Sequence, residues 1–165
     1  AYEQLGVTPD IMSLAKALGN GLPLGAILTT ETIAAAFVPG THASTFGGNP
    51  VSCAAGLAVM SIMLKEGFMA NVLNRGQYLA NTLQALAEKY PALGTGTRGS
   101  GLIQALVLTE KGIQHGAEIV KTLFQRGLLA NFAGNSALRF IPPLIVTEKE
   151  IDEMRDILDT VLSTI

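Results

Sequence analysis

The sequence predicts a mixed α/β and α+β fold, in which a glycine-rich segment with a short strand precedes a compact α+β unit. Glycine, proline and threonine crowd the first 50 of the 165 residues, which is typical of short strands joined by tight loops. Two helical patterns follow this segment. From about Gly94 onward the pattern alternates between strand and helix, as in a small α+β unit.

The first half of the chain predicts one strand and two helices. Leu24 to Thr30 is an apolar run bounded by glycine and threonine, which predicts a strand. Pro50 to Leu64 predicts a helix, because Asn49 is a favoured N-cap and proline suits the first helical position. A second helix is predicted from about Met69 to Tyr90, with one apolar face formed by Val72, Leu79, Leu83, Leu86 and Tyr90.

The rest of the chain predicts three strands and two helices. The strands are Leu102 to Leu108, Leu128 to Phe132 and Leu138 to Ile141, and the helices are Ile113 to Arg126 and Glu148 to Leu162. The last helix has a capping box, because Thr147 is followed three residues later by Glu150.

The simplest division of the chain separates residues 1–93 from residues 94–165. Residues 94–101 contain four glycines in eight positions, which predicts a hinge between the two parts. The same stretch matches the letters of a dinucleotide-binding loop, Gly-x-Gly-x-x-Gly. It follows a predicted helix and precedes a predicted strand, however, which is the reverse of the order that such a loop requires.

The composition is that of a globular protein, with 48% hydrophobic and 15% charged residues. A net charge of -2 gives no electrostatic reason to expect nucleic acid or an anionic membrane as a partner. One cysteine and two histidines are too few for an internal disulfide or a standard structural zinc site, so no metal is expected. The most apolar run, residues 51–64, is shorter than the roughly 20 residues that a membrane span needs. These features favour a cytoplasmic protein.

Lys16 is the first candidate for chemistry. It lies among small and apolar residues and is closely followed by Gly19, Gly21 and Gly25. An amine in such surroundings is partly desolvated, which favours its neutral, nucleophilic form and suits it to bond with a carbonyl carbon. On composition alone an ordinary solvated lysine explains the same residue, because most lysines lie at the surface.

The second candidate is the segment from Thr41 to Pro50, which places hydroxyl groups just before a predicted helix. Backbone N–H groups and the helix dipole favour an anion at this position, so the hydroxyl groups and backbone amides of this segment are candidates for binding a phosphate or a carboxylate. An ordinary helix-entry loop with a capping residue is the alternative.

The third candidate is Arg139, which lies between apolar residues of a predicted strand. A guanidinium group matches the geometry of a carboxylate, which points to a substrate carboxylate as its partner. An internal salt bridge with one of the chain's own acidic residues is the alternative.

Together these three segments resemble the class-III aminotransferases, which use pyridoxal 5'-phosphate. The resemblance covers nearly the whole chain, and its segments occur in the order found in that family. They are SLAKALGNGLPLGA (residues 13–26), STFGGNP (residues 44–50) and LRFIPPL (residues 138–144). Ala43 departs from the glycine expected before the second segment.

The resemblance implies the C-terminal part of a fold-type-I aminotransferase. Residues 1–93 would form the end of the large coenzyme-binding domain and connecting helices, and residues 94–165 the small C-terminal α+β domain. Lys16 would hold the coenzyme covalently and act as the catalytic acid and base. Thr45 would bind the coenzyme phosphate across a homodimer interface, Ser44 would line the substrate pocket, and Arg139 would bind the substrate α-carboxylate.

The implied reaction transfers an amino group from N2-acetyl-ornithine to 2-oxoglutarate, as in arginine biosynthesis. Ornithine, succinylornithine and 4-aminobutyrate are the alternative amino donors. The other parts of such a site would lie upstream of Ala1, so the isolated chain is expected to be inactive. A different reading is a non-catalytic folding or dimerisation module that has kept the lysine by descent.

Overall fold

The computed structural model describes residues 2–165, which fold as two compact units. Unit 1 ends at Glu66, and unit 2 runs from Gly67 to Ile165. Unit 1 contains strands β1 and β2, a 3-10 helix, a short helix α1 and a longer helix α2. Their bounds are Ile11–Leu14 (β1), Lys16–Gly19 (the 3-10 helix), Ala26–Thr29 (β2), Glu31–Ala34 (α1) and Pro50–Met63 (α2).

Unit 2 is a four-stranded antiparallel sheet with three helices. The elements are Phe68–Lys89 (α3), Gly94–Ser100 (β3), Ile103–Leu108 (β4), Glu110–Gln125 (α4), Asn131–Ala133 (β5), Ala137–Phe140 (β6) and Glu148–Leu162 (α5). The strand order is β3-β4-β6-β5, and every neighbouring pair is antiparallel. The mixed α/β fold predicted from the sequence is confirmed.

The predicted helix start signals are confirmed. The Asn49 side chain accepts a hydrogen bond from the Ser52 N–H at 2.9 Å and so caps α2. In α5, Thr147 and Glu150 form the complete capping box, in which each side chain binds the other residue's backbone N–H. The hydroxyl and the backbone N–H of Thr147 both donate to the Glu150 carboxylate, and these two hydrogen bonds lower the pKa of Glu150.

The hydrophobic core lies entirely in unit 2. Within residues 2–165, every buried hydrophobic side chain falls between Val72 and Leu162. The largest fully buried ones come from α3, β4, α4, β6 and α5: Leu79, Leu83, Leu106, Ile119, Leu123, Leu138, Ile151, Leu158 and Val161. In unit 1, from Tyr2 to Glu66, the buried residues are Gly19, Ser52 and Gly56.

The two units divide earlier in the chain than the sequence suggested, at Glu66 and Gly67 rather than near residue 94. Helix α3 belongs to unit 2 because its buried face packs on β3 and β4. Residues 94–100 are therefore not a hinge but the edge strand β3. Their glycines allow close packing: a Cβ at Gly99 would lie 2.1 Å from the Ile103 carbonyl oxygen.

Between Tyr2 and Ile165, no single helix has both the length and the apolar character to cross a membrane. Helices α2 and α3 counted together meet those requirements by length and composition.

Candidate functional site

Lys16 lies in the loop between β1 and β2 of unit 1. These strands pair antiparallel from Ile11 opposite Thr29 to Leu14 opposite Ala26, so both ends of the loop are fixed. Lys16 is exposed, and its amine makes no hydrogen bond or ion pair with any other residue in the described range 2–165. The amine is therefore available to a ligand.

The backbone at Lys16 is strained. Its φ of 60° is in the left-handed region, which costs a non-glycine residue on the order of 1–2 kcal/mol. Asn20 (φ 47°) and Gly21 (φ 104°) continue this tight path. Helix α2 packs on the loop, because a Cβ at Gly56 would lie 2.5 Å from Leu24 and 3.6 Å from the Leu18 carbonyl oxygen. The strain thus occurs where the loop is held against a helix.

Ser44 and Thr45 lie in the exposed loop that leads into α2. The loop is tied to the helix by Asn49, whose Nδ2 donates to the Phe46 carbonyl at 3.1 Å while its Oδ1 caps the helix. Ser44 packs against Gly47, where a Cβ would lie 2.9 Å from the serine Oγ. Neither hydroxyl bonds to another residue within Tyr2 to Ile165.

Unit 1 carries two kinds of group that suit a ligand. The amine of Lys16 suits a carbonyl carbon, and the hydroxyl of Thr45, ahead of the α2 N-terminus, suits an anion. Glycine at positions 47 and 48 removes side chains that would stand between an anion and the backbone N–H groups.

Arg139 lies on β6 in unit 2 and points away from the core. Its neighbours Leu138 and Phe140 are 0% and 4% exposed and face the helices, whereas Arg139 is exposed. Arg139 forms none of the ion pairs among residues 2–165, so an internal salt bridge does not account for it there.

The structure places the predicted residues in two groups. Lys16, Ser44 and Thr45 belong to unit 1, and Arg139 belongs to unit 2. The strand pairing also places Asn131 directly opposite Arg139, a proximity that the sequence analysis did not detect. Strand periodicity alone could not have found it, because the register of β5 on β6 depends on the turn between them.

Other features offer no comparable set of groups. The described residues 2–165 contain no cluster of three or more His, Cys, Asp or Glu side chains arranged to hold a metal ion. A surface hollow of about 800 Å³ is lined by Arg126, Lys149, Asp152, Glu153, Asp156, Ile157 and Thr160. Its charges are mixed in sign and it contains none of the predicted site residues, so we do not regard it as the site of the chemistry.

The family model of class-III aminotransferases matches residues 1–162, and the chain belongs to this family. It is 49% identical over 164 residues to the acetylornithine aminotransferase of Caldanaerobacter subterraneus subsp. tengcongensis, covering 99% of this chain and 40% of that protein. It is 41% identical to the acetylornithine aminotransferase of Methanocaldococcus jannaschii, covering 100% of this chain and 40% of that protein.

Solved structures agree with the sequence relatives. The acetylornithine aminotransferase of Elizabethkingia anophelis matches 100% of this chain and 41% of its own, with a TM-score of 0.89 and 31% identity. Ornithine delta-aminotransferase of Plasmodium falciparum matches 99% of this chain and 42% of its own, with a TM-score of 0.88 and 26% identity. The chain spans about two fifths of the length of the relatives that it matches.

Proposed function

We propose that this chain carries part of the active site of a pyridoxal-phosphate-dependent aminotransferase. The observation that carries the proposal is Lys16, an exposed amine without a partner among residues 2–165, held in a strained loop between two paired strands. Membership of the class-III aminotransferase family supports it, as do the names of the relatives.

Each predicted residue has a distinct task in this proposal. Pyridoxal phosphate, when bound, supplies an aldehyde that an amine can join and a ring that takes up the electron pair left at the substrate carbon. The Lys16 amine holds the coenzyme and, once released, accepts the substrate proton and returns it. The Thr45 hydroxyl donates to the coenzyme phosphate, and Ser44 borders the substrate.

Arg139 fixes the substrate by its carboxylate. A guanidinium group binds a carboxylate with two parallel hydrogen bonds, which sets the orientation as well as the position of the substrate. The carbon that loses its proton is thereby held in a fixed orientation.

For the whole protein we propose N2-acetyl-ornithine as the amino donor and 2-oxoglutarate as the acceptor, a reaction of arginine biosynthesis. The relatives named acetylornithine aminotransferase support this choice. Likeness to ornithine delta-aminotransferase keeps ornithine as an alternative donor, along with succinylornithine and 4-aminobutyrate. A cytoplasmic homodimer, in which Thr45 of one subunit serves the coenzyme of the other, completes the proposal.

Coenzyme capture tests the role of Lys16. The full-length protein is mixed with pyridoxal phosphate, reduced with borohydride and digested, and we expect mass spectrometry to locate the coenzyme on Lys16. The variant Lys16→Ala should yield no borohydride-trapped coenzyme at this position and should lose transamination by a factor on the order of 1000 or more. The matched control is Lys65→Ala, which removes another exposed lysine of unit 1. This variant should retain both coenzyme trapping on Lys16 and transamination.

Comparison of the four amino donors, each with 2-oxoglutarate, tests the substrate. We expect the largest kcat/KM with N2-acetyl-ornithine. A folded full-length protein that binds no coenzyme and transfers no amino group would favour the non-catalytic module instead. Trapping of coenzyme on Lys16 together with transamination by the isolated 165-residue chain would contradict the prediction that this chain is inactive alone.

A further inference from the structure

Asn131 lies opposite Arg139 on the exposed face of the sheet in unit 2. The two residues are direct partners in the antiparallel pairing of β5 with β6. Side chains of directly paired residues project from the same face, with Cβ atoms about 4.5–5.5 Å apart. The asparagine amide and the guanidinium group therefore start from adjacent positions.

Burial of the neighbouring residues shows which face this is. Phe132, which follows Asn131, points towards α4, where it would lie 2.5 Å from a Cβ at Gly116. Leu138 and Phe140, on either side of Arg139, are buried in the core. Because side chains alternate along a strand, Asn131 and Arg139 both project away from the helices, and both are exposed.

Alanines flank the pair within the paired strands. Ala105 of β4 is the other cross-strand partner of Arg139, and Ala133 and Ala137 are the next residues on this face of β5 and β6. Ala105 and Ala137 are 8% and 1% exposed, whereas Asn131 and Arg139 are both exposed, so the two polar side chains are the parts of this row that a ligand can reach. Asn131 makes no side-chain hydrogen bond within the described residues 2–165, so its amide is available to a ligand.

We propose that Asn131 is a second substrate-binding residue, which binds the same carboxylate as Arg139. This inference rests on the proposed role of Arg139. An amide contains one acceptor oxygen and an NH₂ donor. In the proposed complex with the carboxylate, Asn131 Oδ1 would accept from the guanidinium group and hold it in one orientation, and Nδ2 would donate to the carboxylate. The ligand class is a carboxylate, with 2-oxoglutarate as the oxo-acid substrate, and a neutral amide or ester lacks the charge that Arg139 requires.

Steady-state kinetics of the full-length protein test the proposal. We expect Asn131→Ala to raise the KM for 2-oxoglutarate about threefold to tenfold, as for loss of one hydrogen bond, with little change in kcat. Asn131→Gln keeps the amide and should recover most of the affinity. Asn131→Asp places a carboxylate beside Arg139 that competes for it, so its KM should rise further than that of the alanine variant.

Arg98→Ala is the matched control. Arg98 pairs with Ala105 and so lies on the same face, but it is two strands away from Arg139. Its removal lowers the positive charge of the face and leaves the backbone pairing of Asn131 with Arg139 in place. A KM increase in Asn131→Ala that Arg98→Ala does not reproduce supports the proposal. Equal increases would indicate a general effect of the surface and would overturn it.

Titration with glutarate gives a second readout that does not depend on turnover. Isothermal calorimetry of the coenzyme-loaded protein should show the same loss of affinity in Asn131→Ala, about threefold to tenfold, as for one hydrogen bond. The variant Arg139→Ala distinguishes a failure of the proposal for Asn131 from a failure of the proposed role of Arg139. If Arg139→Ala weakens glutarate binding and Asn131→Ala does not, the inference about Asn131 fails alone. If neither variant weakens binding, the proposed role of Arg139 fails with it.

Discussion

At the scale of single residues, left-handed backbone conformations occur at two places that matter for the site. Lys16 adopts φ 60° in unit 1, and Gly134 and Asn135 adopt φ 55° and 47° in the turn between β5 and β6. Strain at a non-glycine residue persists only where the surrounding structure requires it. At Lys16 it accompanies the candidate amine, and at Asn135 it fixes the register that brings Asn131 opposite Arg139.

The turn at Asn135 gives a stability prediction. Asparagine and glycine tolerate the left-handed region, whereas alanine does not, so Asn135→Ala should lower the free energy of unfolding by about 1 kcal/mol. Asn135→Gly should remain within about 0.5 kcal/mol of the original, because glycine adopts this conformation freely. Urea unfolding followed by circular dichroism measures both. An equal loss of unfolding free energy in the two variants would contradict this prediction. It would mean that contacts of the asparagine side chain, and not its backbone conformation, stabilise the turn.

For Gly76→Ala, the sign of the change in the free energy of unfolding distinguishes two effects. At a solvent-exposed helix position, alanine is more stable than glycine by about 1 kcal/mol. A Cβ at Gly76, however, would lie 2.5 Å from the carbonyl carbon and oxygen of Gly101. We therefore expect Gly76→Ala to destabilise unit 2 by about 1–3 kcal/mol, as overpacking does, and stabilisation in a melting experiment would contradict this contact.

At the scale of elements, the β3–β4 turn is where helix α3 meets the sheet. Gln104 is 5% exposed, and its Nε2 donates to the Gly101 carbonyl at 2.8 Å, which anchors the turn from inside. Gly76 of α3 touches the same residue from the helix side. The turn is thus held by a hydrogen bond from the Gln104 side chain and by the close approach of α3 to Gly101, and the close approach requires glycine at position 76.

Helices α3 and α5 are joined at their ends by a charged cluster. Lys89 Nζ binds both carboxylate oxygens of Asp159, at 2.7 and 2.8 Å, and the Tyr90 hydroxyl donates to Asp159 Oδ1 at 2.8 Å. The ammonium group of Lys89, followed by the Tyr90 hydroxyl, lowers the pKa of Asp159. The hydrogen bond to Asp159 raises the pKa of Lys89.

This cluster predicts how stability depends on pH. A carboxyl group with a lowered pKa stabilises the fold above its unfolded pKa, near 3.9, and that contribution disappears as the pH falls through the folded pKa. The Lys89 contribution is complete below its usual pKa and disappears only as the pH rises through the folded pKa. Asp159→Asn should therefore be less stable than the original at pH 7, and the difference should shrink as the pH falls below about 4.

Urea titrations at several pH values measure the effect. Asp156→Asn is the control, because the Asp156 side chain is 69% exposed and its one partner among residues 2–165 is the neighbouring Arg155. A difference between Asp159→Asn and the original that stays constant from pH 7 to pH 3 would contradict a role for the ionised carboxylate.

Helices were easier to predict from the sequence than strands. α5 spans Glu148 to Leu162 as predicted, because its capping box and apolar periodicity agree. Strands β1 and β3 were missed. β1 has only four residues, and β3 contains three glycines that resemble a linker when its partner strand is unknown. Arg139 could be identified as a candidate from the sequence of its own strand. Asn131 could be identified only once the pairing of β5 with β6 was known.

At the scale of the whole molecule, the two units differ in how they can be stable. Unit 2 contains all the buried hydrophobic residues of the described chain. Unit 1 exposes many apolar side chains, including Leu5 (77%), Leu57 (70%) and Leu64 (77%). An apolar helix with its side chains in water gains nothing from burial, which is the dominant favourable term in folding.

This difference predicts the behaviour of two separate polypeptides. Residues 67–165 expressed alone should fold and unfold in one cooperative transition, because their core is complete. Residues 1–66 alone should lack a cooperative transition and should associate through their exposed apolar surface. Calorimetry and light scattering of the two polypeptides test this, and a sharp transition from residues 1–66 would contradict it.

The absence of buried hydrophobic side chains in unit 1 also affects how its chemistry can be observed. Lys16, the residue proposed to hold the coenzyme, belongs to the part of the described chain that cannot stabilise itself by burial. Any polypeptide that covers the apolar surface of unit 1 would shift unit 1 towards its folded state, since binding to the native form alone stabilises it. Coenzyme capture by Lys16, if it occurs as proposed, would then report that such a polypeptide has docked on unit 1.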